Sequence, residues 1–285
     1  MMRSMATQKD RKLNQLNHLL PEGLLVDAAW MGAHGYSSSL RSQYVSAGWL
    51  EQPVRRVYCR PRGELSWQQV VISLQTLLDQ RLAVGGRTAL ELQGYAHFLR
   101  QMETEIHLHG PEKPASWLWD FKLSSSFVYH NSLPLFGDDL AQVDFPDLED
   151  SSASERAKGP MSDAGLRAMP WGQWKWPLTL STPERAVLEL LDELPERESF
   201  HQADMLFESL SNLSPRRIQT LLARCRSVKV KRLFMFFADR HGHAWRKHID
   251  PEAIDLGSGK RMLVKGGCLD PTYQITVPID LVGHI

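Results

Sequence analysis

Serine and arginine side chains recur at helical spacing in residues 37–42. Ser37, Ser38, Arg41 and Ser42 follow a turn that Gly35 allows. Residues three and four apart share one face of a helix, so most of these polar groups would point the same way. Hydroxyl and guanidinium donors contact base edges and phosphates in the major groove of DNA. We therefore predict that these four residues bind DNA.

A second basic feature follows thirteen residues after Ser42. Arg55 and Arg56 stand between two apolar stretches, Trp49–Leu50 and residues 57–59. Apolar stretches separated by a short turn segment are typical of a β-hairpin. The two arginines would lie at the tip of this hairpin and bind the DNA backbone or the minor groove.

Three short helices are predicted to position these residues. A first helix of about ten residues ends at Pro21, and a second runs from about Val26 to Ala33. Ser37–Ser39 offer N-cap oxygens for the third, whose buried face would hold Leu40, Tyr44 and Ala47. With the hairpin, this order predicts a winged helix-turn-helix DNA-binding domain over residues 1–65.

The rest of the chain, residues 66–285, reads as a larger mixed helical and sheet domain. Apolar periodicity predicts helices over 67–82 and 88–92, then strands at 105–109, 117–121 and 127–129. Four amphipathic helices follow from residue 181: capping boxes are expected at Ser181 and Ser199, the third helix opens at Ser214, and the fourth runs over 227–240. Alternating residues in 260–278 predict closing strands. The predicted fold class is α+β, mainly helical.

The formal net charge of zero is a sum of opposed regions. Residues 1–65 hold nine basic and five acidic side chains, whereas residues 137–160 hold seven acidic and two basic ones. Acidic, serine-rich sequence with few apolar residues buries little surface when it is ordered. We therefore expect residues 137–165 to form a flexible acidic insertion or linker.

Residues 214–248 form a basic run, with ten lysines and arginines and only Asp239 opposed to them. Two interpretations stay open for it, a solvated helical face or a contact surface for DNA, RNA or an acidic protein. The candidate residues for such a surface are Arg216, Arg217, Arg224, Lys229, Lys231 and Arg232.

Motifs of catalysis or metal binding are weak. Gly257–Lys260 resembles the end of a phosphate loop but lacks the first glycine and the Ser/Thr that binds the metal. A nucleotidyltransferase needs two carboxylates on alternating strand positions, and His107 occupies the second one after Glu105. His241, His243 and His248 have no helix-spaced ligand pattern around them. We predict no catalytic residue, no metal and no cofactor.

The cellular location is predicted from equally simple features. The three cysteines are an odd number without a CxxC pair, so neither a disulfide framework nor a zinc knuckle is indicated. The N-terminal residues lack an apolar signal segment, and no stretch approaches 18 consecutive apolar residues. A cytoplasmic protein without membrane contact is expected.

Several segments together resemble the AbiEi-type antitoxins of bacterial toxin-antitoxin systems. The N-terminal segments are Gly35-Tyr36-Ser37, Gly48-Trp49-Leu50, Val57-Tyr58 and Thr88-Ala89-Leu90-Glu91. The C-terminal segments are Ser181-Thr182-Pro183-Glu184-Arg185-Ala186, Ser227-Val228-Lys229-Val230-Lys231-Arg232-Leu233, Leu256-Gly257-Ser258-Gly259-Lys260-Arg261 and Gly266-Gly267. The similarity covers nearly the whole chain, and it is carried by the order and spacing of these segments.

This resemblance implies an antitoxin that is not an enzyme. It implies a repressor of its own operon, which binds operator DNA through the first domain and neutralises a nucleotidyltransferase-like toxin, directly or indirectly, in phage defence by abortive infection. We expect one monomer on each half of an inverted repeat, because the sequence has no coiled-coil stripe. A ligand-responsive winged-helix repressor and a nucleotide-transferring enzyme stay open as alternatives.

Overall fold

The computed structural model describes residues 2–95, 104–149 and 159–282. Its first part contains α1 (Met2–Leu19), β1 (Leu25–Asp27), α2 (Ala28–Ala33), α3 (Ser38–Ser46) and β2 (Val57–Cys59). β1 pairs antiparallel with β2, and Glu51 forms an isolated bridge with Cys59. The order of helices, strand and hairpin is that of a winged helix.

Two details of the predicted helix-turn-helix are wrong. Val26 belongs to β1, and α2 begins only at Ala28, where the Asp27 side chain accepts a hydrogen bond from Trp30 N. Ala47 is the exposed C-cap of α3 rather than part of its buried face. The core of this part is formed by fully buried apolar side chains, among them Leu16, Leu20, Met31, Tyr36 and Tyr44.

The second part is built around a five-stranded sheet. Its strands are β3 (Ala83–Val84), β4 (Thr104–Gly110), β5 (Ser125–Asn131), β6 (Leu166–Trp171) and β7 (Trp176–Ser181). They stand in the order β5-β4-β3-β7-β6, with parallel pairs β4/β5 and β3/β7 and antiparallel pairs β3/β4 and β6/β7. The mixed sheet confirms the predicted α+β class.

Helices surround this sheet. They are α4 (Trp67–Thr76), α5 (Gly86–Leu92), α6 (Leu133–Phe136), α7 (Pro160–Asp163), α8 (Pro183–Asp192), α9 (Phe200–Ser209), α10 (Pro215–Arg224) and α11 (Val228–His241). β8 (Cys268–Leu269) and β9 (Thr276–Val277) form a final hairpin, which confirms the strands expected in the tail. The predicted strand at 117–121 is wrong, because Ser116–Asp120 form a 3-10 helix.

The two parts share one apolar core. A continuous cluster of buried residues includes Leu16 of α1 and Leu20 just after it, as well as Leu178 of β7 and Phe234 of α11. The main-chain N–H of Leu25 donates to Ser73 Oγ of α4 at 3.0 Å. α4 therefore packs directly behind the strand of the winged helix.

The predicted flexible acidic segment is wrong where the structure describes it. Asp139, Leu140 and Val143 are buried, and Asp139 is ion-paired with the fully buried Arg185 of α8. Residues 159–165 include α7 and lead directly into β6. This segment is therefore held in place by a buried ion pair as well as by its few apolar side chains, and its composition gave no sign of that pair. Residues 150–158 of the predicted segment lie outside the described part of the chain.

Candidate nucleic-acid interface

Helix α3 presents a polar face to solvent. Ser37 is its N-cap, and Ser37 Oγ accepts a hydrogen bond from Leu40 N at 3.3 Å. Tyr44 is buried on the opposite side of the helix. Ser38 and Ser42 are exposed, with Ser37 beside them at the helix start. The three predicted serines are therefore all exposed, between the N-cap and the middle of α3.

Arg41 has a different environment from the serines. Its Nη1 donates to the main-chain carbonyls of Tyr36, at 2.9 Å, and Ala28, at 3.2 Å. The guanidinium also lies over the ring of Tyr58, 5.7 Å from its centroid. Arg41 is half-buried and holds the start of α3 against α2 and β2. This stabilising role was not predicted from the sequence, which assigned Arg41 to DNA.

The wing carries the two other arginines at its tip. Arg55 and Arg56 are both exposed, and the main chain of Arg56 is left-handed, with φ of 69°. The carbonyl of Arg56 accepts a hydrogen bond from the N–H of Ala28 at 2.8 Å. The wing tip is therefore fixed beside the first residue of α2, and the two basic side chains project from it.

Other basic residues near this face are engaged within the protein. Arg60 forms an ion pair with Glu22 at 2.9 Å. Arg62 lies over the ring of Trp174, which belongs to the turn between β6 and β7, at 5.8 Å. Lys12 Nζ donates to the carbonyl of Gly35. Arg55 and Arg56 thus differ from these residues in pointing away from the fold.

The predicted basic surface on α10 and α11 is wrong for its α11 members. Lys231 and Arg232 are buried, and Arg232 donates to the carbonyls of Leu256, at 2.7 Å, and Gly259, at 2.6 Å. Lys229 Nζ donates to the carbonyl of Leu194 at 3.0 Å. These cations stabilise main-chain carbonyls of neighbouring loops, which requires the side chains to point inward.

Two of the three candidate residues on α10 already have partners within the protein. Arg217 pairs with the buried Glu184 at 3.0 Å, and Arg224 donates to the carbonyl of Asp163 at 2.8 Å. Arg216 and Arg224 are exposed. The six candidates therefore do not form one contact surface.

The residues considered for metal binding have structural partners. His241 Nε2 lies 2.8 Å from Asp204 Oδ1, and His243 Nε2 lies 2.7 Å from the carbonyl of Phe207. In the segment 257–260, which resembles the end of a phosphate loop, the carbonyl of Gly259 accepts a hydrogen bond from Arg232. Over residues 2–95, 104–149 and 159–282, no group of three or more metal-ligating side chains is close enough to hold an ion.

A polar cluster on the five-stranded sheet was missed by sequence reasoning. His107 and His109 alternate on β4, and His130 lies beside them on β5. His107 Nδ1 is 2.9 Å from His130 Nε2, and His130 Nδ1 is 2.9 Å from Glu193 Oε1. The alternation of the first two histidines was visible in the sequence. Their pairing with His130 depends on strand order, which the sequence did not reveal.

Two family models match this chain. One described as "Transcriptional regulator, AbiEi antitoxin N-terminal domain" matches residues 9–101. Another, described as "Transcriptional regulator, AbiEi antitoxin, Type IV TA system", matches residues 149–278. Together they cover more than three quarters of the sequence. The chain belongs to the AbiEi antitoxin family.

Membership of the AbiEi family confirms the resemblance stated from the sequence. The family is one of antitoxins that are transcriptional regulators of type IV toxin-antitoxin systems. The N-terminal match extends past residue 65 into α5, so the domain boundary proposed from the sequence stays a prediction.

The fold is also similar to a solved structure. The crystal structure of RV2827C protein from Mycobacterium tuberculosis superposes with a TM-score of 0.52 at 16% identity, covering 97% of this chain and 94% of that chain. At this identity the similarity concerns the fold alone. No curated protein sequence matches the chain. Within the described ranges, no helix combines the length and apolar character that a membrane span requires.

Proposed function

We propose that this AbiEi-family chain is an antitoxin that represses its own toxin-antitoxin operon by binding operator DNA. The supporting observation is the placement of α3 and the wing. The exposed hydroxyls of Ser38 and Ser42 and the exposed guanidiniums of Arg55 and Arg56 belong to elements that both attach to Ala28.

The geometry suggests how each part acts. Helix α3 enters the major groove, where Ser37, Ser38 and Ser42 donate hydrogen bonds to phosphates or base edges. Arg55 and Arg56 bind phosphates on the flanking backbone or enter the minor groove. Arg41 acts indirectly, because its engaged Nη1 keeps α3 at a fixed angle to α2.

The assembly on DNA follows from the same face. Recognition by one winged helix covers a half-site, so an operator with inverted repeats would carry one monomer on each half. With six or more phosphate contacts, affinity should fall about a thousandfold between roughly 50 and 200 mM salt.

Neutralisation of the toxin is the second half of the proposal, and family membership supports it. The cognate toxin would be nucleotidyltransferase-like, its neutralisation direct or indirect, and the system would act in phage defence. The chain itself would not be an enzyme. The carbonyl and carboxylate partners of Arg232, His241 and His243 support structural roles for residues that had suggested catalysis or metal binding.

Operator binding is tested with the promoter fragment upstream of the chain's own operon, by fluorescence anisotropy and with a promoter reporter. The Arg55→Ala/Arg56→Ala variant should lose repression. The matched control is Lys113→Ala/Lys122→Ala, which removes two exposed cations that belong to neither the wing nor the other candidate surface. Equal loss in both variants would contradict a specific role for the wing.

Toxin neutralisation is tested separately by co-expression with the neighbouring gene of the operon. If that gene is toxic and the chain restores growth, the antitoxin assignment is supported. Unchanged toxicity in the presence of the folded chain would contradict it, whatever the outcome of the DNA experiment.

A further inference from the structure

The five-stranded sheet has two edge strands, β5 and β6, and β6 is protected against pairing with another strand. Pro170 of β6 stands opposite Pro177 of β7. Because proline has no N–H, this pair makes no ladder hydrogen bonds, and the main chain of Pro170 faces away from β7 without a donor. The exposed Arg167 lies on the same strand. Proline and charge are usual features of a protected sheet edge.

Strand β5 has neither form of protection. Its seven residues include no proline and no lysine, arginine, aspartate or glutamate. The N–H of Ser132, just after the strand, donates to the carbonyl of Gly110 on β4 at 2.9 Å. Main-chain groups alternate in direction along a strand, so four residues direct theirs away from β4: Ser125, Phe127, Tyr129 and Asn131. In the part of the chain that the structure describes, no backbone group bonds to them.

A groove of about 800 Å³ surrounds this edge of the sheet. Phe127 and Tyr129 line it from one face of the sheet, and Val128 lines it from the other. Side chains of both faces meet in one groove only where a strand has no neighbour. Trp119, which is 48% exposed, stands beside them. The groove therefore leaves room for a further strand along β5.

Two exposed charges lie near opposite ends of β5, on the face of Val128. Glu105 of β4 is in register with Ser126, and its side chain is 59% exposed. Arg197, 60% exposed, lies 3.7 Å from Glu193, which contacts His130 near the other end of the strand. In an antiparallel pair of β5 strands the Ser126 end of one lies beside the His130 end of the other. Arg197 of each chain then approaches Glu105 of its partner copy, and this complementarity favours a second copy as the occupant.

We propose that β5 pairs antiparallel with β5 of a second copy of this chain, with Val128 opposite Val128 on a twofold axis. This register places Phe127 opposite Tyr129 of the other copy and joins the outward main-chain groups of the two strands. Cross-strand aromatic pairs stabilise antiparallel sheets, and C2 dimers are the commonest assemblies of soluble proteins. The two five-stranded sheets become one. This inference concerns the free protein and does not depend on operator binding.

Sedimentation velocity of the full chain without DNA, from about 1 to 200 µM, tests the association. A contact built on one strand from each chain is smaller than the standard interface of about 1,600 Å², so we expect a dissociation constant on the order of 10 µM. Phe127→Pro removes an outward N–H that β4 does not use, and it should weaken the dimer at least about tenfold. A monomer at every concentration, or a folded Phe127→Pro chain that dimerises like the unchanged one, would overturn the proposal.

Cysteine cross-linking tests the register. Residues opposite each other in a non-hydrogen-bonded antiparallel pair have Cα atoms about 4.5 Å apart, a distance that a disulfide spans. Val128→Cys should therefore give a disulfide-linked dimer under mild oxidation. The matched control is Ser126→Cys, which is more exposed but lies roughly 13 Å from its own copy in this register. No linkage through residue 128, or equal linkage through residue 126, would reject the register.

Charge reversal tests the contact between Arg197 and Glu105 of the other copy. Glu105→Arg alone and Arg197→Glu alone each set like charges against each other twice in the dimer, and each should weaken association by about threefold to tenfold. The combined variant restores opposite charges and should associate within about twofold of the unchanged chain. A combined variant that is weaker than both single variants would contradict this arrangement of the two copies.

Discussion

Arg41 and Ala28 are joined by a hydrogen bond from the guanidinium Nη1 to the main-chain carbonyl, at 3.2 Å. The N–H of the same Ala28 donates to the carbonyl of Arg56 at 2.8 Å. The first residue of α2 therefore fixes both α3 and the tip of the wing. A change on one side of this junction is expected to alter the position of the other.

The first prediction concerns Arg41. Arg41→Ala removes charge-assisted hydrogen bonds to two carbonyls, and we expect the free energy of unfolding to fall by about 2 kcal/mol. Operator affinity should fall with it, because α3 loses its fixed angle. Urea unfolding and fluorescence anisotropy on the same preparations measure the two effects.

Arg41→Lys separates positioning from direct phosphate contact. Lysine keeps the charge, but its side chain ends one bond short of the position of Nη1 and has no planar group to lie over the ring of Tyr58. If Arg41 positions α3, the lysine variant should lose stability and DNA affinity together. Full DNA affinity in a destabilised lysine variant would instead assign Arg41 to a phosphate.

The second prediction concerns the wing. Arg55→Ala/Arg56→Ala should change the free energy of unfolding by less than about 0.5 kcal/mol, because both side chains are exposed. Each phosphate contact contributes about 0.9 to the slope of log affinity against log salt, so the slope should become shallower by about 2. A salt series of operator binding measures this. An unchanged slope in the double variant would show that the wing does not contact phosphates.

The sequence predicted the parts of the fold that depend on local patterns. The helix starts expected at Ser199, Ser214 and Ser227 are confirmed, because each of these serines is an N-cap whose side chain accepts a hydrogen bond from the backbone three residues later. Strand β1 was missed because three residues are too short to show an alternating pattern. The capping box expected at Ser181 is wrong, since Thr182 is the N-cap of α8.

Whether a charged side chain is exposed or buried with a partner was the hardest feature to predict from the sequence. Arg232 belongs to a basic run, but its carbonyl partners stand 24 and 27 residues away, at Leu256 and Gly259. Asp139 belongs to an acidic run, but its partner Arg185 is 46 residues away. Charge counts along a sequence carry no information on such distant pairs. Exposed candidates such as Ser38 and Arg55 needed no distant partner, and their exposure agrees with the expectation.

The third prediction tests the ordered part of the acidic segment. Arg185 is fully buried between Asp139, at 2.5 Å, and Glu189, at 2.8 Å. Asp139→Asn replaces one of the two carboxylates that hold Arg185 by a neutral amide and leaves Glu189 as the only carboxylate partner, so the free energy of unfolding should fall by about 1–3 kcal/mol. The neighbouring Asp138 is exposed, and Asp138→Asn is the matched control, with an expected change below about 0.5 kcal/mol. Denaturant unfolding that gives equal values for the two variants would show that Asp139 is not held in this pair.

The last prediction is a loss of stability in acid caused by His107. Burial and the nearby His130 lower the pKa of His107 from 6.5 to about 4. In the unfolded chain this imidazole titrates near its ordinary value, so the unfolded state binds more protons between pH 6.5 and about 4. The free energy of unfolding should therefore fall as the pH is lowered through that window, with a contribution on the order of 3 kcal/mol from this residue.

His107→Asn isolates this contribution, because an asparagine amide can still donate to His130 Nε2 without taking up a proton. Other titrating groups, Glu193 among them, are common to both proteins and cancel in the difference. Urea unfolding at a series of pH values should give a shallower acid slope for the variant than for the unchanged chain. Parallel curves would show that His107 titrates normally in the folded protein and would contradict the effect expected from its burial beside His130.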